Sequence, residues 1–285
     1  MILILSDGKP GHLNQSLAFA KLKNIEYEIV EIYTNPFSKI LSYILDFFRI
    51  YINLFGIEKR DYKKYKAVVS AGSGTYYANK YLTKKYDLKS VAIMLPKGFR
   101  YDDFNYIIAQ NHDNPPNKAN IISIPVNLST NQPKGLVKKE DKKALAIIIG
   151  GNNSTFSIKR ELIKKELDNI FKNYPDYLKY VTTSRRTPKE IEELLKEYAF
   201  DYKIIYSKNP NINPIPDFLE VCDILFITVD STSMLSEARA NSKAEIKIIK
   251  LDSKKYDTKF HRLAEEIEKI DEKFDYADYL KKVEI

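Results

Sequence analysis

Two groups of polar residues sit where the chain turns, each directly after an apolar run. The first follows "MILILS" (1–6) and reads Asp7-Gly8-Lys9-Pro10-Gly11-His12, with Gln15 three residues further on. An imidazole beside a carboxylate can take a proton from a hydroxyl near neutral pH. The plainer reading has Asp7 capping the following helix and His12 merely exposed. The second group is Gly150-Gly151-Asn152, Ser184-Arg185-Arg186 and Asp230-Ser231-Thr232-Ser233. Glycine pairs let a ligand approach the backbone, and helix starts offer unpaired N–H groups to a phosphate. Two adjacent arginines at a helix start sit badly against its dipole unless an anion is present. Ser231 and Ser233 also suit a helix N-cap. In "DSTSMLSE" (230–237), Glu237 falls one to two turns into a helix. A carboxylate there accepts from two ribose hydroxyls, or is an ordinary exposed helix residue.

Other strand ends are similar: Gly72-Ser73-Gly74-Thr75, Pro96-Lys97-Gly98, and Gln110-Asn111-His112-Asp113. Each alone is commonplace, but together they suggest a lined cleft, because ligands of open α/β sheets bind outside the carboxyl ends of strands. No G-x-x-x-x-G-K-[ST] and no G-x-G-x-x-G follows a strand, so the P-loop and the dinucleotide fingerprint are absent. His12, His112 and His261 lack metal-ligand spacing, and no Asp-x-Asp ends a strand. A site without metal or cofactor is therefore expected. The single cysteine, Cys222, excludes an internal disulfide and reads as a buried small hydrophobe.

These residues must be held by regular elements. The 285 residues are 44% hydrophobic and 29% charged, with a net charge of +8. That suits a soluble chain of two domains with an affinity for anions. No basic stripe with interleaved aromatics occurs, so nucleic acid is not an expected partner. Strand-like runs alternate with helical patterns: "MILILS", "EYEIVEI" (26–32), "AVVSA" (67–71), "SVAIML" (90–95), "NYIIA" (105–109) and "NIISI" (120–124). Residues 126–143 are polar, contain Pro133 and Gly135, and read as a linker. The rhythm restarts at "ALAIIIGG" (144–151) and runs through "YVTTS", "YKIIYS", "DILFITV" and "EIKIIKL" to closing helices at 258–270 and 275–283. A helix is expected from Thr187-Pro188, with Thr187 as its cap. The prediction is α/β: two Rossmann-like domains, 1–130 and 143–285, facing across a cleft, the last helix free to return to the N-terminal domain.

Residues 37–57, "FSKILSYILDFFRIYINLFGI", form an apolar stretch whose polar residues Lys39, Ser42, Asp46, Arg49 and Asn53 fall on one narrow helical stripe. Asp46 and Arg49 argue against a transmembrane span. The stretch reads as a core helix or as one lying in a membrane interface, with nearby lysines meeting anionic headgroups.

The motifs "SDGKPGHLNQ", "NHD", "IIGGNNSTF", "TTSRRTP" and "ITVDSTSMLSEA", in this order, resemble the mitochondrial-fission Elm-type family, whose bacterial members are described as glycosyltransferases. The resemblance implies a GT-B-like fold and a nucleotide-sugar donor, with a UDP-sugar preferred. It makes His12 or Asp7 the base that activates the acceptor hydroxyl, with Asp7 either orienting His12 or replacing it. It makes Gly150, Gly151, Asn152, Ser184, Arg185, Arg186, Asp230, Ser231, Ser233 and Met234 the diphosphate side, and Glu237 the ribose ligand. Gly8, Gly11, Gln15, Gly72 and His112 fall to the acceptor or sugar side. The implied activity is transfer of the sugar to a glycolipid or surface polysaccharide of the cell envelope. The alternatives are a nucleotide-sugar epimerase or hydrolase on the same fold, and a non-catalytic membrane-associated adaptor. No signal-peptide pattern opens the chain, so a cytoplasmic place is expected, either free or peripheral on the membrane's inner face.

Overall fold

The computed structural model describes residues 1–269 and 275–285. They form two compact units: Met1–Thr130 with residues 275–285, and residues from Asn131 onward through 269.

The first unit opens with β1 (Ile2–Ser6), buried along its whole length, followed by α1 (Pro10–Leu22) and β2 (Tyr27–Glu31). Next come α2 (Pro36–Phe47), β3 (Ala67–Ala71), α3 (Tyr76–Tyr86), β4 (Lys89–Ile93), β5 (Tyr106–Gln110) and β6 (Ile121–Ile124). The six strands pair in the order β2-β1-β3-β4-β5-β6, all parallel. Ile4 stands between Ile29 and Val69, which fixes the register of the sheet's centre. Strands covered on both faces must be apolar nearly throughout, and β1 and β3 are. The chain order reverses between β1 and β3, so the crevice of this sheet lies beyond the ends of those two strands.

The second unit begins with β7 (Ala144–Ile149), β8 (Phe156–Ser157), α4 (Arg160–Asn173), β9 (Leu178–Thr183) and α5 (Lys189–Leu194). It continues through β10 (Tyr202–Ile204), α6 (Ile215–Val221), β11 (Ile224–Thr228), α7 (Thr232–Asn241), β12 (Glu245–Ile249), β13 (Asp252–Ser253) and α8 (Lys259–Lys269). Its parallel sheet runs β10-β9-β7-β11-β12, with the reversal between β7 and β11. A separate antiparallel pair joins β8 to β13. The last helix, α9 (Tyr276–Leu280), belongs to the first unit. The Tyr276 hydroxyl donates to the Asn127 carbonyl at 2.5 Å, and Lys23 donates to the carbonyls of Leu280 and Val283.

Four local expectations are corrected. α1 starts at Pro10, so Gly11, His12 and Gln15 lie on the helix rather than in a loop. Proline needs no N–H partner at that first position. The stretch 126–143 is not all linker, because Val126 and Leu128 are buried in the first unit and the boundary falls after Thr130. Thr187 does not cap α5: its hydroxyl donates instead to the Gly150 carbonyl at 2.5 Å, and Pro188 precedes the helix.

The fourth correction concerns residues 37–57. The helix α2 stops at Phe47, and Arg49 takes a positive φ of 59° that turns the chain away. The polar stripe points inward. Ser42 and Asp46 are buried, whereas Phe37, Ile40, Ile44 and Phe47 are exposed. Asp46 receives the fully buried Lys80 ammonium at 2.6 Å, the Arg100 amide at 2.8 Å and the Tyr51 hydroxyl at 3.2 Å. Burial pushes the Lys80 ammonium below its ordinary pKa despite Asp46 beside it. Among the described residues no helix is long and apolar enough to cross a membrane.

Removing one member of a buried ion pair strands the other in a medium that solvates it poorly. Asp46→Ala is therefore expected to lower the unfolding free energy by about 3–5 kcal/mol in urea titrations. The double change Asp46→Leu with Lys80→Met should recover much of that loss. A single variant as stable as the parent would show that the pair does not anchor α2.

Candidate functional site

In the first unit, the loop after β1 and the loop after β3 converge at the point where strand order reverses. Asp7 opens that first loop with its side chain almost wholly buried. Both of its carboxylate oxygens lie 3.0 Å from Nδ1 of His12, one turn into α1. With Nδ1 donating to the carboxylate, Nε2 is left as the basic nitrogen. Burial pushes the Asp7 carboxyl up, but the Lys9 ammonium at 3.1 Å and the His12 ring together reverse this and leave it below its ordinary range. Asp7 thus pairs with His12 instead of capping the helix. The imidazole lies directly over Gly72, where a Cβ would come within 2.2 Å of Nδ1. Gly72 also carries a φ of +87°, which disfavours any side chain. A Cβ on Gly74 would likewise lie 3.1 Å from the Asp7 Cβ.

Three other first-unit candidates serve the fold around this pair. Gln15 is buried, donating to the Gly11 carbonyl at 3.3 Å and accepting from Gln110 at 3.2 Å. Its amide is thus engaged by the protein itself, linking α1 to the end of β5. His112 is buried in the turn after β5. Gly8 turns the chain at a φ of +74°, its amide donating to the Ser6 hydroxyl.

In the second unit, the corresponding reversal gathers the ends of β7, β9 and β11 around Asp230. Its carboxylate is fully buried. It accepts from the Gly151 amide at 2.9 Å, the Thr228 hydroxyl at 2.7 Å and the Arg186 guanidinium at 2.7 Å. Arg186 also donates to the Asn152 carbonyl. The Asn152 side chain accepts from the Ile158 amide, and Asn153 donates to the Asp230 carbonyl. Ser184 accepts from the Arg186 amide, closing the turn after β9.

This changes the role read for the two glycines. A Cβ on Gly150 would lie 2.1 Å from the Asp230 carboxylate, and one on Gly151 would lie 2.0 Å from the Arg186 carbonyl. The room they leave is filled by protein, not by a ligand. Arg185 and Arg186 also part company. Arg186 is committed to Asp230, whereas Arg185 is exposed with no bonded partner among the described residues. Thr187 and Thr228 were missed, although T-x-D at a strand end and S-x-x-T across a turn are spacings at which a hydroxyl reaches backbone or carboxylate.

The helix α7 then leaves the site. Ser231 is its N-cap and accepts from the Met234 amide at 3.3 Å, so that hydroxyl has a structural task. Ser233 is exposed, and Met234 is half-buried. No acidic residue occupies the first turn; the nearest along the chain is Asp230, directly before the N-cap, whose carboxylate is paired with Arg186. Glu237 is half-buried rather than exposed, with no side chain bonded to its carboxylate among the described residues. Burial pushes it up to about 7. Among the described residues no three His, Cys, Asp or Glu side chains converge on a metal position.

The two arginines are expected to separate cleanly in urea titrations. Arg185→Ala should change stability by less than about 0.5 kcal/mol. Arg186→Ala should cost about 1–3 kcal/mol, because Asp230 keeps only two of its three donors. Equal effects would refute the division of labour. Glu237 gives a second expectation. Its folded pKa of about 7 lies above the ordinary value of 4.5. The stability it contributes is full below that ordinary value and is lost as pH rises through the folded one. Melting curves of the ligand-free protein should show this decline, and Glu237→Gln should remove it.

With this geometry in place, relatives can be compared. An uncharacterized protein of Rickettsia prowazekii, RP120, is 25% identical over 289 residues, covering 85% of this chain and 81% of that one. Among solved structures, the glycosyltransferase SnogD from Streptomyces nogalater is 11% identical with a TM-score of 0.53, covering 99% of both chains. A Listeria monocytogenes protein named as a UDP-N-acetylglucosamine 2-epimerase is 12% identical with a TM-score of 0.51, covering 93% of this chain and 81% of that one. These likenesses establish a GT-B-like fold of two Rossmann-like units, as the motif resemblance implied. Residues 10–273 match the family described as Mitochondrial fission ELM1, and the chain belongs to that family.

Proposed function

We propose that this protein is a glycosyltransferase that moves a sugar from a nucleotide-sugar, a UDP-sugar first, to a hydroxyl of a lipid-linked or polysaccharide acceptor. The observation that carries this reading is the Asp7–His12 pair seated over Gly72 at the strand-order reversal of the first unit. The carboxylate holds Nδ1, fixes the ring, and stabilises the imidazolium that forms when Nε2 accepts a proton. In the proposed reaction Nε2 takes the proton of the acceptor hydroxyl. The hydroxyl oxygen attacks the anomeric carbon, and the bond from that carbon to the diphosphate oxygen breaks. The nucleoside diphosphate leaves with the bonding pair.

The second unit is the proposed donor side. Arg185 is an exposed cation without an ion pair among the described residues, and the first turn of α7 carries no acidic residue, while the Asp230 carboxylate just before it is paired with Arg186. Both suit the charge that builds on a departing diphosphate. Glu237, half-buried and unbonded, suits the two ribose hydroxyls. Asp230 and Arg186 are assigned a positioning role, since their charges are spent on each other and on the loop. The epimerase alternative also needs a base, to take the proton from the carbon it inverts, but it needs no acceptor hydroxyl, so dependence on an acceptor separates the two.

The test begins with melting curves in a panel of nucleoside diphosphates and nucleotide sugars. A ligand at 100 times its dissociation constant adds about 2.7 kcal/mol. With the donor known, His12→Ala is expected to lower kcat by about 10²–10⁴-fold with the donor Kd unchanged by calorimetry. Arg185→Ala should weaken the donor by about 1–3 kcal/mol. If no nucleotide stabilises the protein, the reading fails. If the donor is consumed without an acceptor and His12→Ala leaves the rate unchanged, the enzyme is not a transferase of this design.

A further inference from the structure

The helix α2 is amphipathic with its sides reversed. Phe37, Ile40, Ile44 and Phe47 recur at intervals of three, four and three and so share one helical face. That face is open: Phe37 is 75% exposed, Ile40 62% and Phe47 71%. Neighbouring loops extend it, with Tyr33 at 80% and Phe48 at 65%. Scattered exposed hydrophobes need no explanation, but a continuous face of large ones marks a surface that docks on something. The reversal is enforced from inside, because Asp46 on the opposite face is fastened to buried Lys80, to the Arg100 amide and to Tyr51. Turning the apolar face inward would expel that carboxylate and strand the lysine.

We infer that this face docks on an anionic phospholipid surface. The charges around it choose the occupant. Between residues 32 and 57 the only carboxylate is Asp46, which is buried, while Arg49 is exposed beside the aromatic side chains. The following segment exposes Lys59, Arg60, Lys63, Lys64 and Lys66 against Glu58 and Asp61. Arg60 and Lys64 lie on Glu28, which leaves Arg49, Lys59, Lys63 and Lys66 without an ion pair among the described residues. A second copy of this chain would bring the same cations against these. An anionic bilayer offers acyl chains to the phenylalanines and isoleucines and headgroup phosphates to the cations at once. The contact is a surface one: α2 has 12 residues and spans about 18 Å, short of the roughly 30 Å of a bilayer core. This inference stands independently of sugar transfer.

The chain has no tryptophan, so Phe48→Trp supplies a single fluorescent reporter on this face. Its emission is expected to shift to the blue on adding vesicles of phosphatidylcholine with phosphatidylglycerol. In co-sedimentation, replacing Phe37, Ile40, Phe47 and Phe48 by serine should lower partitioning by more than about tenfold. Arg49→Glu should lower it roughly fivefold or more on vesicles containing phosphatidylglycerol, with little effect on phosphatidylcholine alone. Melting temperatures of both variants should match the parent, since these side chains are already in water. Equal sedimentation of parent and quadruple variant, or no sedimentation of the parent with either vesicle, overturns the inference. So does a dimer in analytical ultracentrifugation that the quadruple variant dissolves, which would assign the face to a second copy.

Discussion

A carboxylate removed from water demands donors wherever it is placed, and in the second unit that demand organises the site. Asp230 has no exposed side-chain surface. Left alone, such a charge would be far too costly to bury. Three donors from three strand ends meet it: the Gly151 amide after β7, the Arg186 guanidinium after β9 and the Thr228 hydroxyl on β11. Loops that would otherwise be free are thereby tied to one point. The Thr187 hydroxyl adds a second tie, from the turn after β9 to the Gly150 carbonyl. The groups this knot does not use, Arg185 and Ser233 in the first turn of α7, are the ones that the proposed reading gives to a ligand.

The same physics acts on α2 with the opposite result for the surface. Asp46 and Lys80 satisfy one another inside the first unit, along with the Arg100 carbonyl, which accepts from the lysine at 2.7 Å. A helix has only two sides. Once its polar side is pinned inward, its apolar side must face out. Burial of a charge pair is weak evidence for stability, since a well-packed apolar replacement is often as stable. It is stronger evidence for orientation, because no other rotation of α2 keeps both charges paired.

How much of this was readable beforehand depended on how far apart the partners lie in the chain. β7 is legible as "ALAIII" because a parallel strand buried on both faces has no polar alternation to hide it. Candidate residues were legible for a related reason, since ligand-facing side chains collect directly after strands. Their pairings were less so. Asp7 and His12 are five residues apart and could be paired from one helical turn. Arg186 and Asp230 are 44 apart, and nothing local distinguishes Arg186 from Arg185. The stripe on α2 was visible, but its direction was set by Lys80, 34 residues beyond Asp46. The helix α6 follows Pro214 and accommodates Pro216 because it falls in the first turn, where no N–H is required.

Glycines play the same part in both units. In each unit a glycine follows a strand beside the reversal of strand order, and in each the missing Cβ is replaced by a polar side chain from a neighbouring segment, the first turn of α1 in one and the residue after β11 in the other. In the first unit Gly72 after β3 makes room for the His12 ring. In the second, Gly150 after β7 makes room for the Asp230 carboxylate. A methyl group at either place would overlap the polar group by more than an ångström of ordinary contact distance. Glycine here is thus required by the protein's own side chains before any ligand arrives, and its presence is no measure of how closely a phosphate approaches. On the reading proposed above, the chemistry falls to the groups that these glycines make room for. In the first unit that group is an imidazole whose Nδ1 is held. In the second it is a fixed loop framework that leaves one arginine unpaired.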